Sequence, residues 1–177
     1  MPTGLIRYQN TGNTHFITFS CYRRQAYLNT PAARSLFERS LETIRQRYDL
    51  LVRGYVIMPE HVHLLLSEPR NVLLAKALQA LKLSVSVQST QRPFWQARYY
   101  DFNVFTNRKF DKKLVYMHRN PVKRSLTAKP EDWPWSSFLH YADGIRGIIE
   151  IESHWTATQR QRLTPPQQPP LLFPPST

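Results

Sequence analysis

Apolar residues alternate with other residues along several short runs of the chain, a period-two pattern that is typical of β-strands. The run 15–21 predicts a first strand. Two further apolar runs, 50–58 and 61–67, are separated by the turn Pro59-Glu60, so they predict an antiparallel hairpin. A fourth run, 99–105, predicts the last strand of the same sheet.

Between these runs, apolar residues recur at spacings of three and four, which indicates helices that bury one stripe. The first helix, about residues 31–48, begins at Thr30-Pro31, where a preferred N-cap residue is followed by proline at the first helical position. The second helix has an apolar stripe from Leu74 to Val85, for which core packing is the expected role, and Asn71 as its predicted N-cap.

A third helix follows the last strand, with Thr106 or Asn107 as its N-cap. It is expected to end near Asn120, because the residue before a proline tends to leave the helical region. The order strand, helix, strand, strand, helix, strand predicts an α+β fold, a ferredoxin-like βαββαβ sandwich with an antiparallel sheet. The third helix is additional, and we expect it to cover the open face of that sheet.

The composition changes towards the end of the chain. A length of 177 residues suits one domain with a real core, which we assign to residues 1–156. Residues 157–177 are predicted to be a Pro-rich, disordered tail, because residues 164–177 contain six prolines and no charged residue. Just before it, Trp133 and Trp135 are expected to anchor an irregular segment on the domain.

The charge of the chain indicates a polyanionic partner. The formal net charge is +12, from 24 basic and 12 acidic residues, and nucleic acid is the commonest partner of such a chain. No run approaches the roughly 20 apolar residues of a membrane span, so a membrane is not expected as a partner. The single cysteine, Cys21, excludes an intramolecular disulfide and fits a cytoplasmic protein.

Two histidines near the start of the third strand are candidate metal ligands. Side chains at i and i+2 of a strand point to the same face, so His61 and His63 can share one ligand while Val62 packs on the other face. Neutral imidazole is a common metal ligand. Such a pair also occurs by chance on exposed strands, and alone it does not decide between the two interpretations.

Several basic and aromatic residues outside the helices are candidate nucleic-acid contacts. Arg7 and Tyr8 precede the first strand, and the basic pair Arg23-Arg24 follows it at the edge of the sheet, although such a pair is also common in a solvated loop. Trp95 lies in a loop with Arg98, where it could stack on an unpaired base or close the core. The sequence leaves both roles of Trp95 open.

Four blocks of the chain together resemble the single-tyrosine HUH transposases, and among them the REP-associated tyrosine transposases. The similarity extends over about residues 4–156, with the blocks in the family's order and spacing. The blocks are Met58-Pro59-Glu60-His61-Val62-His63-Leu64-Leu65-Leu66, Arg98-Tyr99-Tyr100-Asp101-Phe102-Asn103-Val104, Tyr116-Met117-His118-Arg119-Asn120-Pro121-Val122-Lys123-Arg124 and Trp133-Pro134-Trp135-Ser136-Ser137-Phe138.

The resemblance implies a metal site and a nucleophile at named positions. His61 and His63 match the metal-binding pair, Tyr116 matches the nucleophile, and Asn120 matches the polar residue that completes the metal site. Relatives outside this branch more often have glutamine at the position of Asn120. The glycine that usually follows the basic pair is Ser125 here. The metal would be Mg²⁺ or Mn²⁺, ions that leave positions open for phosphate oxygens.

The implied activity is a transposase reaction on single-stranded or hairpin DNA, through a 5′-phosphotyrosine intermediate, by a monomer or homodimer. The cations that could hold the DNA backbone, or else simply solvate a helix face, are Lys112, Lys113, Lys123 and Arg124. His118 is about 200° around the helix from Tyr116, so we do not expect it at the metal. The alternative is a non-catalytic ferredoxin-like nucleic-acid-binding module, whose activity would not depend on Tyr116.

Overall fold

The structure, a computed structural model, describes residues 11–163. Four strands form one antiparallel sheet in the order β2-β3-β1-β4, in which β1 pairs with both β3 and β4. This order confirms the predicted ferredoxin-like βαββαβ arrangement. The strands and helices are β1 (Thr14–Ser20), α1 (Pro31–Tyr48), β2 (Val52–Ile57), β3 (His61–Leu66), α2 (Leu74–Val87), β4 (Tyr100–Val104), α3 (Asn107–Lys123), α4 (Phe138–Asp143) and α5 (His154–Leu163).

The N-termini of the helices agree with the predicted caps in two of three cases. Thr30 accepts a hydrogen bond from the backbone of Ala33 at the start of α1. Thr106, not Asn107, is the N-cap of α3. The assignment of Asn71 to the cap of α2 was wrong, because α2 begins three residues later, after Leu73, without a side-chain cap.

The end of α3 also differs from the prediction. The helix continues past Asn120 to Lys123 with Pro121 inside its last turn. The backbone N–H of Arg124 donates to the carbonyl of Asn120 at 2.9 Å, so the helical hydrogen bonding resumes directly after the proline. Ser125 follows with a φ of +56°, a left-handed conformation that glycine adopts most readily.

Hydrophobic residues cover both faces of the sheet. Helices α1 and α2 pack on one face, around the buried side chains of Ile17, Phe19 and Leu64. The third helix packs on the opposite face, where Met117 contacts a second buried cluster that includes Phe16. The expectation that the third helix covers the open face is therefore confirmed.

The contact between α3 and β2 is unusually close at Gly54. A Cβ atom at this position would lie 2.9 Å from Leu114 Cδ1 and 2.9 Å from Met117 Cε. Such distances are shorter than side chains normally allow, so the glycine permits α3 to lie directly on the sheet. This close packing fixes the height of α3 above the strands.

Residues 133–137 run alongside β2. Trp133 Nε1 donates to the carbonyl of Ile57 at 3.0 Å, and the backbone of Ile57 donates to the carbonyl of Trp135 at 2.9 Å. Ser137 extends the contact, since its backbone N–H donates to Tyr55 at 3.0 Å. The two tryptophans anchor this segment, as the sequence predicted.

The predicted boundary at residue 156 falls inside helix α5. Residues 157–163 are helical, and Arg160 forms ion pairs with Glu150 (3.2 Å) and Glu152. The tail prediction was wrong for these residues, because the prolines on which it rested all follow Thr164. Residues 164–177 lie outside the described part of the chain, and so do Arg7 and Tyr8.

Within residues 11–163, every helix is too short or too polar to cross a bilayer.

Candidate active site

The two histidines of β3 face α3 and converge. Their Nε2 atoms are 3.0 Å apart, and both side chains are buried. The sheet places them here, because Thr18 and Ser20 of β1 pair with His63 and His61. Val62 points to the opposite face and joins the core under α1 and α2, as predicted.

Neighbouring groups fix the orientation of each imidazole. His61 Nδ1 donates to Glu60 Oε1 at 3.0 Å. His63 Nδ1 and Thr18 Oγ1 are joined by a hydrogen bond of 2.7 Å, and the ring of Phe16 stacks on His63 with centroids 5.4 Å apart. A hydrogen bond at Nδ1 of a metal-binding histidine sets the direction in which Nε2 points. Both Nε2 atoms therefore point to the same region.

Both histidines are held in the neutral form that binds metal. Burial lowers the pKa of His61, against the raising effect of Glu60. Burial lowers the pKa of His63 to about 3, and the positive charges of Lys113 and Arg24, and of His61 when it is protonated, act in the same direction. Neutral imidazole has a lone pair available for coordination at pH 7.

Asn120 on α3 completes the cluster. Its Nδ2 donates to His63 Nε2 at 3.0 Å, and the side chain is buried. The Nε2 atoms of His61 and His63 and the amide of Asn120 therefore meet at one point, with His63 Nε2 3.0 Å from each of the other two groups. Two ligands at a right angle around an ion with bonds of about 2.1 Å lie about 3.0 Å apart, which fits the pair.

The donor set differs from that of a closed structural site. Two imidazole nitrogens and one amide oxygen supply at most three ligands. Coordination positions therefore stay free for another molecule. Across residues 11–163, His, Cys, Asp and Glu side chains form no group of three or more that could hold a metal, so a site here needs the amide of Asn120 as its third ligand. With that amide, the residues present fit an open site for a divalent cation.

Tyr116 lies beside the histidine pair. Its ring centroid is 5.3 Å from that of His63 and 6.2 Å from that of Phe16, in both cases edge to face. The side chain is 43% exposed, in contrast to the buried histidines. Tyr116 precedes Asn120 by four residues on α3, so one helix places both groups at the site. The structure thus brings together the four residues His61, His63, Tyr116 and Asn120.

A carboxylate that the sequence prediction treated only as a turn residue belongs to this site. Glu60 Oε1 is 2.8 Å from Arg124 Nη2 and 3.3 Å from Arg24 Nη2, in addition to its bond with His61. Burial alone would raise the pKa of Glu60, but His61 and Arg124 lower it. The available sequence signal was an acidic residue directly before a His-x-His pair, since metal-binding histidines often donate to a carboxylate.

Within residues 11–163, the basic residues predicted to contact DNA lie in three places: beside β4, in the turn after β1, and on or just after α3. Arg24 and Arg98 line an open groove of about 620 Å³ next to β4, and Thr18, the partner of His63, lies in the same groove. Arg23 is exposed just before Arg24. On and after α3, Lys112, Lys123 and Arg124 are exposed, whereas Lys113 is half-buried over the rings of Phe16 and Phe102. These side chains surround the site, and contact with DNA stays a prediction for each of them.

The structure decides between the two roles that the sequence leaves open for Trp95, and the naming of Trp95 as a candidate DNA contact was wrong. Its side chain is buried and packs edge to face against Phe19, with centroids 4.9 Å apart. Its Nε1 donates to the carbonyl of Lys82 at 3.0 Å. A ring with both its surface and its N–H occupied inside the protein cannot receive a base, so the alternative role of closing the core is correct.

His118 faces away from the histidine pair, as expected. Its Nε2 is hydrogen bonded to Ser137 Oγ at 2.8 Å, and Ser137 Oγ also accepts from the backbone N–H of Tyr55 at 3.0 Å. Burial lowers the pKa of His118 to about 4, so the ring is neutral. His118 links α3 to β2 through these bonds.

Comparisons with known proteins agree with this geometry. Residues 8–120 match the family model described as "Transposase IS200 like", a range that includes His61, His63, Tyr116 and Asn120. The REP-associated tyrosine transposase of Escherichia coli is 24% identical over 147 residues, which cover 82% of this chain and 87% of that protein. A putative REP-associated tyrosine transposase of Haemophilus influenzae is 25% identical over 117 residues, or 58% of this chain and 66% of that protein.

A solved structure of a REP-associated tyrosine transposase bound to a REP hairpin has the same fold. The TM-score is 0.72 at 21% sequence identity, and the alignment covers 85% of this chain and 92% of that one. The resemblance that the sequence blocks indicated is thereby confirmed.

Proposed function

The chain belongs to the IS200-like transposase family, and on that premise we propose that it cuts and rejoins single-stranded DNA next to hairpins. Tyr116 is the nucleophile, and His61, His63 and Asn120 hold Mg²⁺ or Mn²⁺. The hairpin is proposed because the solved relative is bound to a REP hairpin. The observation that carries the proposal is the position of the half-exposed Tyr116 ring, 5.3 Å from the ring of His63.

The reaction starts with the hydroxyl of Tyr116. Its oxygen attacks a DNA phosphorus atom, the bond from phosphorus to the 3′ oxygen breaks, and the tyrosine proton is lost as the leaving 3′ oxygen gains one. The products are a 5′-phosphotyrosine link and a free 3′-hydroxyl. Attack by another 3′-hydroxyl reverses the step and restores tyrosine, so strands are joined without a separate energy source.

Tyrosine needs help in this reaction, because its ordinary pKa is about 10. A divalent cation, when bound, neutralises charge on the phosphate oxygens and makes phosphorus easier to attack. The chain supplies neutral imidazoles for that ion, since burial lowers the pKa values of His61 and His63. Packing against Phe16 and His63 holds the Tyr116 ring at the edge of the site.

Cationic side chains on two sides of the site are proposed to hold the DNA backbone. Arg24 and Arg98 lie along the groove beside β4, while Lys112 and Lys123 project from α3. A strand that follows both surfaces passes the histidine pair. We propose that this path delivers one phosphate to Tyr116.

The metal assignment is tested by substituting His63 and measuring cleavage of a labelled single-stranded hairpin oligonucleotide with Mn²⁺. His63→Phe keeps a ring that can stack on Phe16 but removes both ring nitrogens. We expect it to lose cleavage and to retain DNA binding, because it removes the proposed metal ligand and its hydrogen bonds to Thr18 and Asn120 but none of the proposed DNA contacts. A chelator added to wild type should have the same effect.

His154→Phe is the control, because His154 is an exposed histidine on α5. This variant should cleave like wild type. If His63→Phe cleaved as well as the control, the metal site would be wrongly placed. If it failed to fold, His63 would be a structural residue. The non-catalytic module predicts binding without cleavage in every variant.

A further inference from the structure

Glu60 occupies a central position between three elements of the fold. Its Oε1 atom accepts from His61 at 3.0 Å, from Arg124 at 2.8 Å and from Arg24 at 3.3 Å. The carboxylate side chain is 10% exposed, whereas the two arginines are 59% and 49% exposed for Arg24 and Arg124. One buried oxygen therefore connects β3, the turn after β1 and the end of α3.

The backbone around Glu60 is also held in place. The N–H of Cys21 donates to the carbonyl of Glu60 at 2.8 Å, and the N–H of Leu28 donates to the carbonyl of Pro59 at 2.9 Å. The turn that carries the carboxylate is thus fixed to the segment that follows β1. A carboxylate on such a turn has little freedom to move away from its partners.

Arg124 gives this carboxylate a direct link to α3. The backbone N–H of Arg124 donates to the carbonyl of Asn120 at 2.9 Å, so the ion pair is attached one hydrogen bond away from a proposed metal ligand. In the described part of the chain, the Glu60–Arg124 pair is the one ion pair that joins residues 107–124 to the sheet and its loops. The helix that carries Tyr116 is otherwise held by apolar contacts, neutral hydrogen bonds and the stacking of Lys113 over the rings of Phe16 and Phe102.

We propose that Glu60 is a positioning residue, which holds the ligand His61 and the tyrosine helix α3 in one fixed arrangement through its bonds to His61 and Arg124. This inference rests on the proposed metal-dependent function. Through His61, Glu60 directs Nε2 to the cation, as carboxylates bonded to metal-binding histidines do. Through Arg124, it holds α3 so that Tyr116 and Asn120 keep their distance from the histidine pair. Small displacements of a nucleophile reduce reaction rates strongly.

The two links predict different defects, which makes them separable. Glu60→Ala removes both bonds, whereas Arg124→Ala removes only the link to α3 and leaves Glu60 bonded to His61. Glu60→Gln has an intermediate effect, because its amide oxygen can still accept from His61 while its charge is lost. Arg119→Ala is the matched control, since Arg119 is an exposed cation of the same helix for which the described residues show no ion pair.

The first measurement is Mn²⁺ binding without DNA. The electron paramagnetic resonance signal of free Mn²⁺ reports how much of the ion stays unbound. We expect Glu60→Ala to weaken binding by about 10-fold or more, Glu60→Gln to weaken it less, and Arg124→Ala to stay within about threefold of wild type. Thermal unfolding of each variant establishes that it is folded. If folded Glu60→Ala bound Mn²⁺ within about twofold of wild type, the proposed role towards His61 would be overturned.

The second measurement is the rate of covalent adduct formation at saturating Mn²⁺ and saturating hairpin DNA. Saturation removes any loss of DNA affinity from the comparison, so the rate reports the position of Tyr116. We expect Arg124→Ala to slow the adduct by about 10-fold, Arg124→Lys to recover part of the rate, and Arg119→Ala to change it little. Equal rates for Arg124→Ala and Arg119→Ala would overturn the link to α3.

Failure of the underlying function gives a different result. If wild type and His63→Phe bound Mn²⁺ equally, the proposed metal site itself would be wrong, and the role of Glu60 with it. If wild type alone bound Mn²⁺ tightly and Glu60→Ala matched it, only the role of Glu60 would be rejected.

Discussion

His15, a buried histidine outside the proposed site, lies between two carboxylates. Its Nδ1 donates to Asp101 at 2.8 Å and its Nε2 donates to Glu68 at 3.0 Å. Burial alone would lower the pKa of His15, but the two carboxylates outweigh it and raise the pKa above 6.5. When it is protonated, the ring joins β1 to β4 and to the loop after β3 by donating to both carboxylates.

This arrangement predicts that the stabilisation contributed by His15 is lost as the pH rises. A histidine whose pKa is raised by folding stabilises the native state fully below its unfolded pKa and loses this effect as the pH passes its folded pKa. His61, His63, His118 and His140 have lowered pKa values, so they oppose folding while their unfolded forms are protonated, and they are neutral in both states only about one pH unit above the ordinary histidine pKa of about 6.5. Urea unfolding from about pH 7.5 upwards, compared between wild type and a variant of Glu68, therefore measures the fall that is due to His15.

Glu68→Gln should reduce this fall, because it removes one of the two charges that raise the pKa of His15. Glu131→Gln is the control, since Glu131 is an exposed carboxylate of the segment after α3. If wild type and Glu68→Gln lost stability equally over this range, His15 would not be held as a cation by Glu68.

The site residues could be predicted when their spacing in the sequence reflects one strand or one helix. His61 and His63 are two apart on a strand, and Tyr116 and Asn120 are four apart on a helix, so each pair shares a face. Glu60 could not be found in this way, because its partners Arg24 and Arg124 come from distant parts of the chain. Only the folded sheet brings these charges together.

At the level of elements, the position of α3 on the sheet decides where Tyr116 lies. Gly54→Ala would put a Cβ atom 2.9 Å from Leu114 and Met117, so α3 must shift or these side chains must rearrange. We expect a loss of about 1–3 kcal/mol of stability. Adduct formation should slow by about 10-fold or more, because the nucleophile moves with the helix.

Gly147→Ala provides the matched control. A Cβ atom at Gly147 meets nothing within 4 Å, and we expect a change in stability within about 0.5 kcal/mol and normal adduct formation. Thermal unfolding and single-turnover kinetics measure both effects. Equal behaviour of the two alanine variants would show that the close contact at Gly54 does not fix the position of α3.

Element types were predictable, whereas several ends were not. Periodicity identified four strands and three helices because each buries a regular set of apolar side chains. Asn71 and Asn120 misled the assignment of helix ends, since local preferences for caps and before proline are weak compared with tertiary packing. Helix α5 was missed because its residues show no apolar stripe and are held instead by the ion pairs of Arg160.

At the level of the whole molecule, the net charge of +12 should make DNA binding strongly dependent on salt. For four to six phosphate contacts, the log-log slope on single-stranded DNA should lie between about −3 and −4, because bound counterions are released. Fluorescence anisotropy of a labelled hairpin oligonucleotide between low and moderate salt gives this slope.

Two variants that each remove one positive charge, from opposite faces of the sheet, locate the DNA-binding surface. Lys112→Ala on α3 should reduce the magnitude of the slope by about 0.7, the value for one contact. Lys76→Ala should leave it unchanged, because Lys76 is exposed on α2, which covers the opposite face of the sheet. The same slope in Lys112→Ala as in wild type would place DNA elsewhere, and a slope near zero in wild type would mean that the positive charge serves another role.

The central claim, that Tyr116 is the nucleophile, is tested most directly by mapping the covalent adduct. Wild type incubated with a labelled hairpin oligonucleotide and Mn²⁺ should form a protein–DNA product that survives denaturing electrophoresis. Peptide mass analysis should place the 5′ phosphate on Tyr116. Tyr116→Phe keeps the ring that packs on Phe16 and His63, so we expect it to bind DNA within a few fold of wild type and to form no adduct.

Tyr100→Phe is the control for this measurement, since Tyr100 is an exposed tyrosine beside the groove and should not be required. The account predicts an adduct in wild type and in Tyr100→Phe, on Tyr116 in both, and none in Tyr116→Phe. An undiminished adduct in Tyr116→Phe, or a phosphate mapped to any other tyrosine, would contradict it.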